Sequence, residues 1–333
     1  MVMRTRFRSR MVVVAKVLAL AALFVGTPCA YAGQQISPAG SSKEPDSYRV
    51  SVDVNLVLLH ATVLDPKGRF VPDLCEQDFE VYEDGVLQRI QLLRREDIPV
   101  TVGLVVDHSR SMRPRLAEVA AAARSFVQSS NPEDEMFVVN FNEKVSRGLP
   151  AGIQFSNSSA ELEQAIGEAA ADGMTALYDA IAKSLEQLQD SNREKKVLIV
   201  ISDGDDTASV QSRDQVMKMA ERSGTIIYTV GLFDPDDPDA NPGVLRRLAR
   251  ATGGEAYFPG QLNEVVSVCE RIARDIRNQY ILGYVSTNPA RDGSYRSIRV
   301  LVRAPDRGKL TVRTRSGYTA GDEPRPGKGD DAK

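Results

Sequence analysis

Val100-Thr101-Val102-Gly103-Leu104-Val105-Val106, running straight into Asp107-His108-Ser109-Arg110-Ser111, is the stretch from which the fold is read. A continuous apolar run of this length suits a strand covered on both faces, the environment of a parallel sheet held between helices. The polar residues after it then lie beyond the carboxyl end of that strand, where open α/β sheets bind their ligands. Asp107, Ser109 and Ser111 place oxygen atoms at a spacing of two. Such hard oxygen donors suit Mg²⁺, which takes octahedral oxygen coordination and keeps some of its waters. Two other loops offer the rest of a site. Thr175 lies in Gly173-Met174-Thr175-Ala176-Leu177-Tyr178-Asp179, and Asp203 follows the apolar run Val197 to Ile201 in Ser202-Asp203-Gly204-Asp205.

Working outward, strand and helix patterns alternate. Leu116 to Val127 has helical spacing, Met136 to Phe141 reads as a buried strand, and a short strand surrounds Val145. Helices are expected at Ala160 to Ala170, Leu177 to Leu188, Gln215 to Arg222, Val244 to Ala251 and Leu262 to Ile276. Strands are expected at Val197 to Ile201, Thr225 to Leu232 and Glu255 to Phe258. Alternation over about 175 residues predicts an α/β fold with a doubly wound, mostly parallel sheet across residues 98–277.

The flanks are different in style. From Tyr48 the side chains Val50, Val52, Val54, Leu56 and Leu58 alternate, and Asp65-Pro66-Lys67-Gly68 is a turn signal. Phe79 to Tyr82 and Val86 to Ile90 flank Glu83-Asp84-Gly85 as a hairpin. Beyond Arg277, short strands are expected at Gln279 to Val285, Tyr295 to Arg303 and Lys309 to Thr314. Neither β segment has enough strands for a core of its own. The expectation is that residues 48–97 and 278–319 pack as one antiparallel β-sandwich with the α/β domain inserted in it. A reading as two separate flanking modules also fits the pattern. Residues 320–333 carry Pro, Gly and charge and are expected to be disordered.

The chain has 333 residues with 42% hydrophobic and 26% charged residues, ordinary values for a globular protein. It has no tryptophan and few aromatics, which argues against a stacking surface for nucleic acid. Residues 1–32 hold Arg4, Arg6, Arg8, Arg10 and Lys16 with no acid, then an apolar segment from Val12 to Val25 and Ala30-Tyr31-Ala32 before Gly33. That order is expected of an export signal, cleaved or kept as an anchor, with residues 33–47 as a linker and a periplasmic or secreted location. Without it the net charge becomes -8, which disfavours nucleic acid and anionic lipid. No other stretch reads as a membrane span. Cys75 and Cys269 then remain, either joined as one disulfide or as two separate buried thiols. His60 and His108 are the only histidines, so a four-ligand zinc spacing is missing.

Asp107-x-Ser109-x-Ser111 with Thr175 and Asp203 resembles the metal-ion-dependent adhesion site of von Willebrand factor A domains, with all five positions filled. The resemblance implies that Ser109 and Ser111 bind a cation directly, with Thr175 direct or water-bridged. Asp107 and Asp203 would act largely through water. It implies Mg²⁺ in that place, with Mn²⁺ or Ca²⁺ meeting the same donors, and a protein partner whose acidic side chain fills the open position. Val63 to Gly68, Asp78 to Gly85, Gln279 to Tyr284 and Arg315 to Tyr318 are similar to the leader and closing strands of exported bacterial A-domain proteins, a group well represented in acidobacteria. No particular partner follows from the family.

Other readings compete. A hydrolase using the metal as a Lewis acid lacks any motif-placed base, so no enzyme activity and no catalytic residue is expected. A structural envelope component with a purely stabilising ion remains a distinct alternative. Asp107-His108-Ser109 is no catalytic triad, because triad members converge in space. His108 is expected at the loop surface, and Asp179 as a capping or loop-bracing carboxylate. Asp234 to Asp239 is expected to be a solvated loop, lacking the glycine and spacing of a calcium loop. Thr252-Gly253-Gly254 reads as a helix stop.

Overall fold

The fold is seen in a computed structural model, which describes residues 56–95, 97–167, 172–233 and 240–321. The signal, the linker, the start of the first strand, the Asp234 to Asp239 run and nearly all of the tail lie outside the described residues.

The first strand, β1 (Leu56–Leu64), leads into β2 (Phe79–Glu83), β3 (Val86–Gln88) and β4 (Ile90–Arg94). The apolar run forms β5 (Thr101–Asp107), every residue of which is buried. Then follow α1 (Leu116–Ser129), β6 (Glu135–Phe141), β7 (Val145–Arg147), α2 (Ser159–Gly167), α3 (Leu177–Gln189) and β8 (Lys196–Ser202). The alternation continues through α4 (Arg213–Ser223), β9 (Ile226–Gly231), α5 (Pro242–Thr252), β10 (Ala256–Tyr257) and α6 (Leu262–Arg277). The chain closes with β11 (Tyr280–Val285), β12 (Tyr295–Val302), β13 (Thr311–Arg313) and β14 (Gly317–Thr319).

One six-stranded sheet runs in the order β10-β9-β8-β5-β6-β7, parallel except for the edge strand β7. Helix α1 lies beside α2 and α6, and α4 beside α3 and α5, so the sheet is doubly wound. Its central strands carry buried apolar runs, such as Val197 to Ile201 in β8, because both faces are covered. On α6 the buried positions Val265, Cys269, Ile272, Ala273 and Ile276 recur at helical spacing.

The flanking strands form two four-stranded antiparallel sheets, β13-β1-β11-β4 and β14-β12-β2-β3. In each, a strand from before the α/β region pairs with one from after it: Leu59 with Leu282, and Val81 with Val300. A single apolar cluster lies between the sheets, with Leu59, Val63, Val81, Leu282 and Val300 among its members. Inside this sandwich Arg296 and Glu83 form an ion pair of 3.0 Å, each side chain only 2% exposed. The Tyr284 and Tyr318 hydroxyls also donate to Glu83, so the buried carboxylate is held by several hydrogen bonds.

One expected element divides. Val86 to Ile90 is not a single strand: β3 pairs with β2 while β4 pairs with β11 in the other sheet, so the chain changes sheets at Arg89. Two cysteine readings also change. Neither thiol is in a disulfide, and Cys75 is exposed while Cys269 is buried among the helix-covered core.

Candidate metal site

The site is built at a point where neighbouring parallel strands send their chains to opposite sides. β5 and β8 are adjacent, and their register aligns Val106 with Ile201. Asp107 therefore ends its strand beside Ser202, and Asp203 enters one residue further on. The loops after the two strands diverge, leaving a crevice at their carboxyl ends.

Four of the five expected residues are joined by direct hydrogen bonds. Asp107 Oδ1 accepts from the Ser109 amide at 2.8 Å, and its Oδ2 accepts from the Ser202 hydroxyl at 2.6 Å. Ser111 Oγ donates to Asp203 Oδ2 at 2.6 Å and lies 3.0 Å from Ser109 Oγ. The other Asp203 oxygen accepts from the Asp205 amide at 3.0 Å. Thr175 reaches the site through its backbone. Its amide donates to Thr207 Oγ1 at 3.1 Å, and its carbonyl accepts from the Thr207 and Ala208 amides. Thr175 is thus held against the Asp203 loop on one side. On the other, the Arg110 amide donates to the Gly173 carbonyl, and the Asp172 amide to the His108 carbonyl. Gly173 turns this loop at φ +84, where a Cβ would lie 1.6 Å from Glu143 Oε2. Glu143 also accepts from the Met174 amide at 3.0 Å.

The site residues are withdrawn from water. Asp107, Ser109, Thr175 and Asp203 are all at most 4% exposed. Burial, with the facing Asp203 carboxylate adding to it, pushes the Asp107 carboxyl up to about 7 against the pull of its own hydrogen bonds. Among the described residues no cationic side chain pairs with either carboxylate. Two buried carboxylates surrounded by neutral hydroxyls and amides form an oxygen-rich pocket whose charge costs free energy unless it is protonated or paired. The donors are all hard oxygens, the kind that Mg²⁺ takes, and only two of them are carboxylates: among the described residues no group of three or more His, Cys, Asp or Glu is placed to hold a metal ion.

His108 corrects an expectation. It is 4% exposed, not at the loop surface, because its amide bonds the Phe141 carbonyl and its carbonyl bonds the Asp172 amide. Asp179 braces the loop, its two oxygens accepting from the Val210 and Gln211 amides at 2.9 and 2.8 Å. Ser202, Thr207, Glu143 and Asp206 hold the site without having been singled out. Asp206 accepts from the Tyr178 amide at 3.1 Å at the start of α3. For Thr207 and Asp206 the sequence signal is the polar run Asp203 to Ser209, which does not say which member reaches which loop, and Ser202 and Glu143 carry no signal of their own.

The sequence model of the von Willebrand factor type A domain matches residues 101–268, just over half of the chain. The chain belongs to the von Willebrand factor type A family. Solved structures of such proteins are similar to it at low identity. A von Willebrand factor type A protein from Catenulispora acidiphila has 15% identity and a TM-score of 0.47, over 73% of this chain and 72% of that one. The conserved hypothetical protein BatB from Bacteroides thetaiotaomicron has 16% identity and a TM-score of 0.46, over 53% and 98%. The domain of the type V pili tip protein Mfa5 from Porphyromonas gingivalis has 15% identity and a TM-score of 0.46, over 54% and 95%. No curated protein matches. A-domain proteins are for the most part interaction or adhesion modules, not enzymes. Among the described residues no helix is long and apolar enough to cross a membrane.

Proposed function

We propose that this chain is an exported protein-binding module in which Asp107, Ser109, Ser111, Thr175 and Asp203 hold Mg²⁺ and present it to an acidic side chain of a protein partner. The observation that carries this reading is the gathering of buried Asp107, Ser109 and Asp203, with Ser111, into one hydrogen-bonded cluster of oxygens at the carboxyl ends of β5 and β8. Ser109 and Ser111 offer neutral oxygens for direct coordination, and Thr175 a third from the opposite loop. Asp107 and Asp203, already fixed by Ser202, Ser109, Ser111 and the Asp205 amide, orient bound waters. A bound Mg²⁺ with so few direct anionic ligands stays electrophilic and attracts a carboxylate from outside. No histidine or glutamate among the described residues lies in a motif that would place it as a base for hydrolysis, which favours docking over chemistry.

Export rests on the basic and apolar order of residues 1–32 and on the likeness of the flanking strands to exported bacterial A-domain proteins. The test is a pull-down from envelope extract with the mature protein in Mg²⁺, in EDTA, and as the Asp107→Ala variant. Capture in Mg²⁺ alone, with circular dichroism unchanged in the variant, is the expected result. Capture indifferent to both treatments overturns the reading.

A further inference from the structure

A second cleft lies between α5, β10 and the sandwich, with a cavity of about 560 Å³. Arg246, Arg250, Arg299, Arg313 and Arg315 line it, against a single carboxylate, Glu255. Arg313 is committed to Glu255 and Asp275. Arg246 and Arg299 lie over the rings of Phe258 and Tyr82, 4.3 and 5.5 Å from the centroids. Such stacking orients a guanidinium and leaves its charge in place. Among the described residues Arg246, Arg250 and Arg299 make no ion pair. The cleft is therefore a cationic wall that its own surroundings do not neutralise.

The same cleft runs along an unfinished sheet edge. β14 borders β12 only from Tyr295 to Ser297, and the last rung is the Ile298 amide donating to the Ser316 carbonyl at 2.8 Å. Ser297 accepts from the Asp84 amide, and the Arg303 amide donates to Asp78, so the odd-numbered residues of β12 bond toward β2. Alternation then turns the amides and carbonyls of Ile298, Val300 and Val302 the other way. Before Ser316 the chain belongs to β13, which pairs with β1 in the other sheet and does not continue the ladder. Val300 and Val302 have no backbone partner on that edge among the described residues, and Val300 lines the cavity. Thr314 Oγ1, on the same wall, is buried without a hydrogen-bond partner.

We propose that this cleft binds an extended acidic polypeptide segment. It adds as a strand to β12 beside Val300 and Val302 and lays its carboxylates against Arg246, Arg250 and Arg299. An open strand edge accepts an extended chain through main-chain hydrogen bonds, and alternate side chains of the guest set specificity. The wall supplies the sign of that specificity. A lysine-bearing segment meets repulsion at the same positions.

The experiment is fluorescence anisotropy with the mature protein in EDTA, so that a Mg²⁺-dependent contact elsewhere contributes nothing. Three labelled peptides serve as probes: one alternating Glu and Val, the same peptide with Lys for Glu, and the Glu peptide N-methylated at alternate amides. Binding of the Glu peptide alone is expected, weakened about ten-fold or more by Arg250→Glu with Arg299→Glu, two exposed positions. Equal binding of the Lys peptide or the N-methylated peptide overturns the proposal. So does failure of the Glu peptide to bind, or unchanged binding by the double variant. None of these results bears on metal-dependent capture.

Discussion

Lys195 shows how a single residue reports on its surroundings. It is 4% exposed, and its ammonium donates to the Ile276 carbonyl in the last turn of α6. Burial lowers its pKa to about 7, against the opposing influence of Asp97 and Asp134. An unfolded lysine titrates near 10.4. Between those values the unfolded chain binds more protons than the native one, so stability rises with pH across that window. Comparing the unfolding free energy of the wild type with that of Lys195→Met isolates the effect. The difference in favour of the wild type is expected to grow by about 1 kcal/mol for each pH unit from 7 to 9. A difference that stays flat means that native Lys195 keeps its proton across this window and that burial does not lower its pKa. At this scale the sequence is least informative. Neither the burial of His108 nor the exposure of Cys75 is legible in it, because both depend on which loops bond to their backbones.

Elements are more legible, for a physical reason. β5, β8 and β9 are apolar over most of their length because both faces are covered, and α5 and α6 carry helical spacing because one face is. The change of sheet at Arg89 left no such trace, since the side chains on both sides of it still alternate as one strand would. The helix stop at Gly253-Gly254 was readable from its glycines, but not why both are needed. Gly253 ends α5 at φ +87, and a Cβ on Gly254 would lie 2.1 Å from the Ile227 carbonyl oxygen in β9. Gly254→Ala must push two backbone segments apart. It is expected to cost about 1–3 kcal/mol in urea unfolding, with the m-value unchanged. Wild-type stability in this variant would show that α5 and β9 are not packed this closely.

At the scale of the whole molecule, an α/β domain hangs from a sandwich that its two flanks build together. The described residues fall in one compact unit, Val52–Lys333. Arg313 of β13 bonds Glu255 and Asp275, at the base of β10 and near the end of α6. The Ser316 amide bonds the Ala251 carbonyl of α5. Sequence reasoning reached this arrangement by a stability argument, that neither flank is sufficient alone, and the strand pairing follows it. It also put the five candidate residues in loops at the carboxyl ends of strands or the start of a helix, which is where they lie. What it did not reach was the polar scaffold beneath them, Ser202, Thr207, Glu143 and Asp206. Those contacts join segments far apart in the chain, and their residue types are common in any loop.

Two carboxylates and three hydroxyl side chains are proposed to hold one divalent cation. Electron paramagnetic resonance titration with Mn²⁺ tests it directly, comparing the wild-type protein with Asp203→Ala and following displacement by Mg²⁺. One Mn²⁺ bound per wild-type chain, released by Mg²⁺, and none held by the variant is the expected result. A wild-type protein that binds no Mn²⁺, or a variant that binds it equally well, would rule out this metal site.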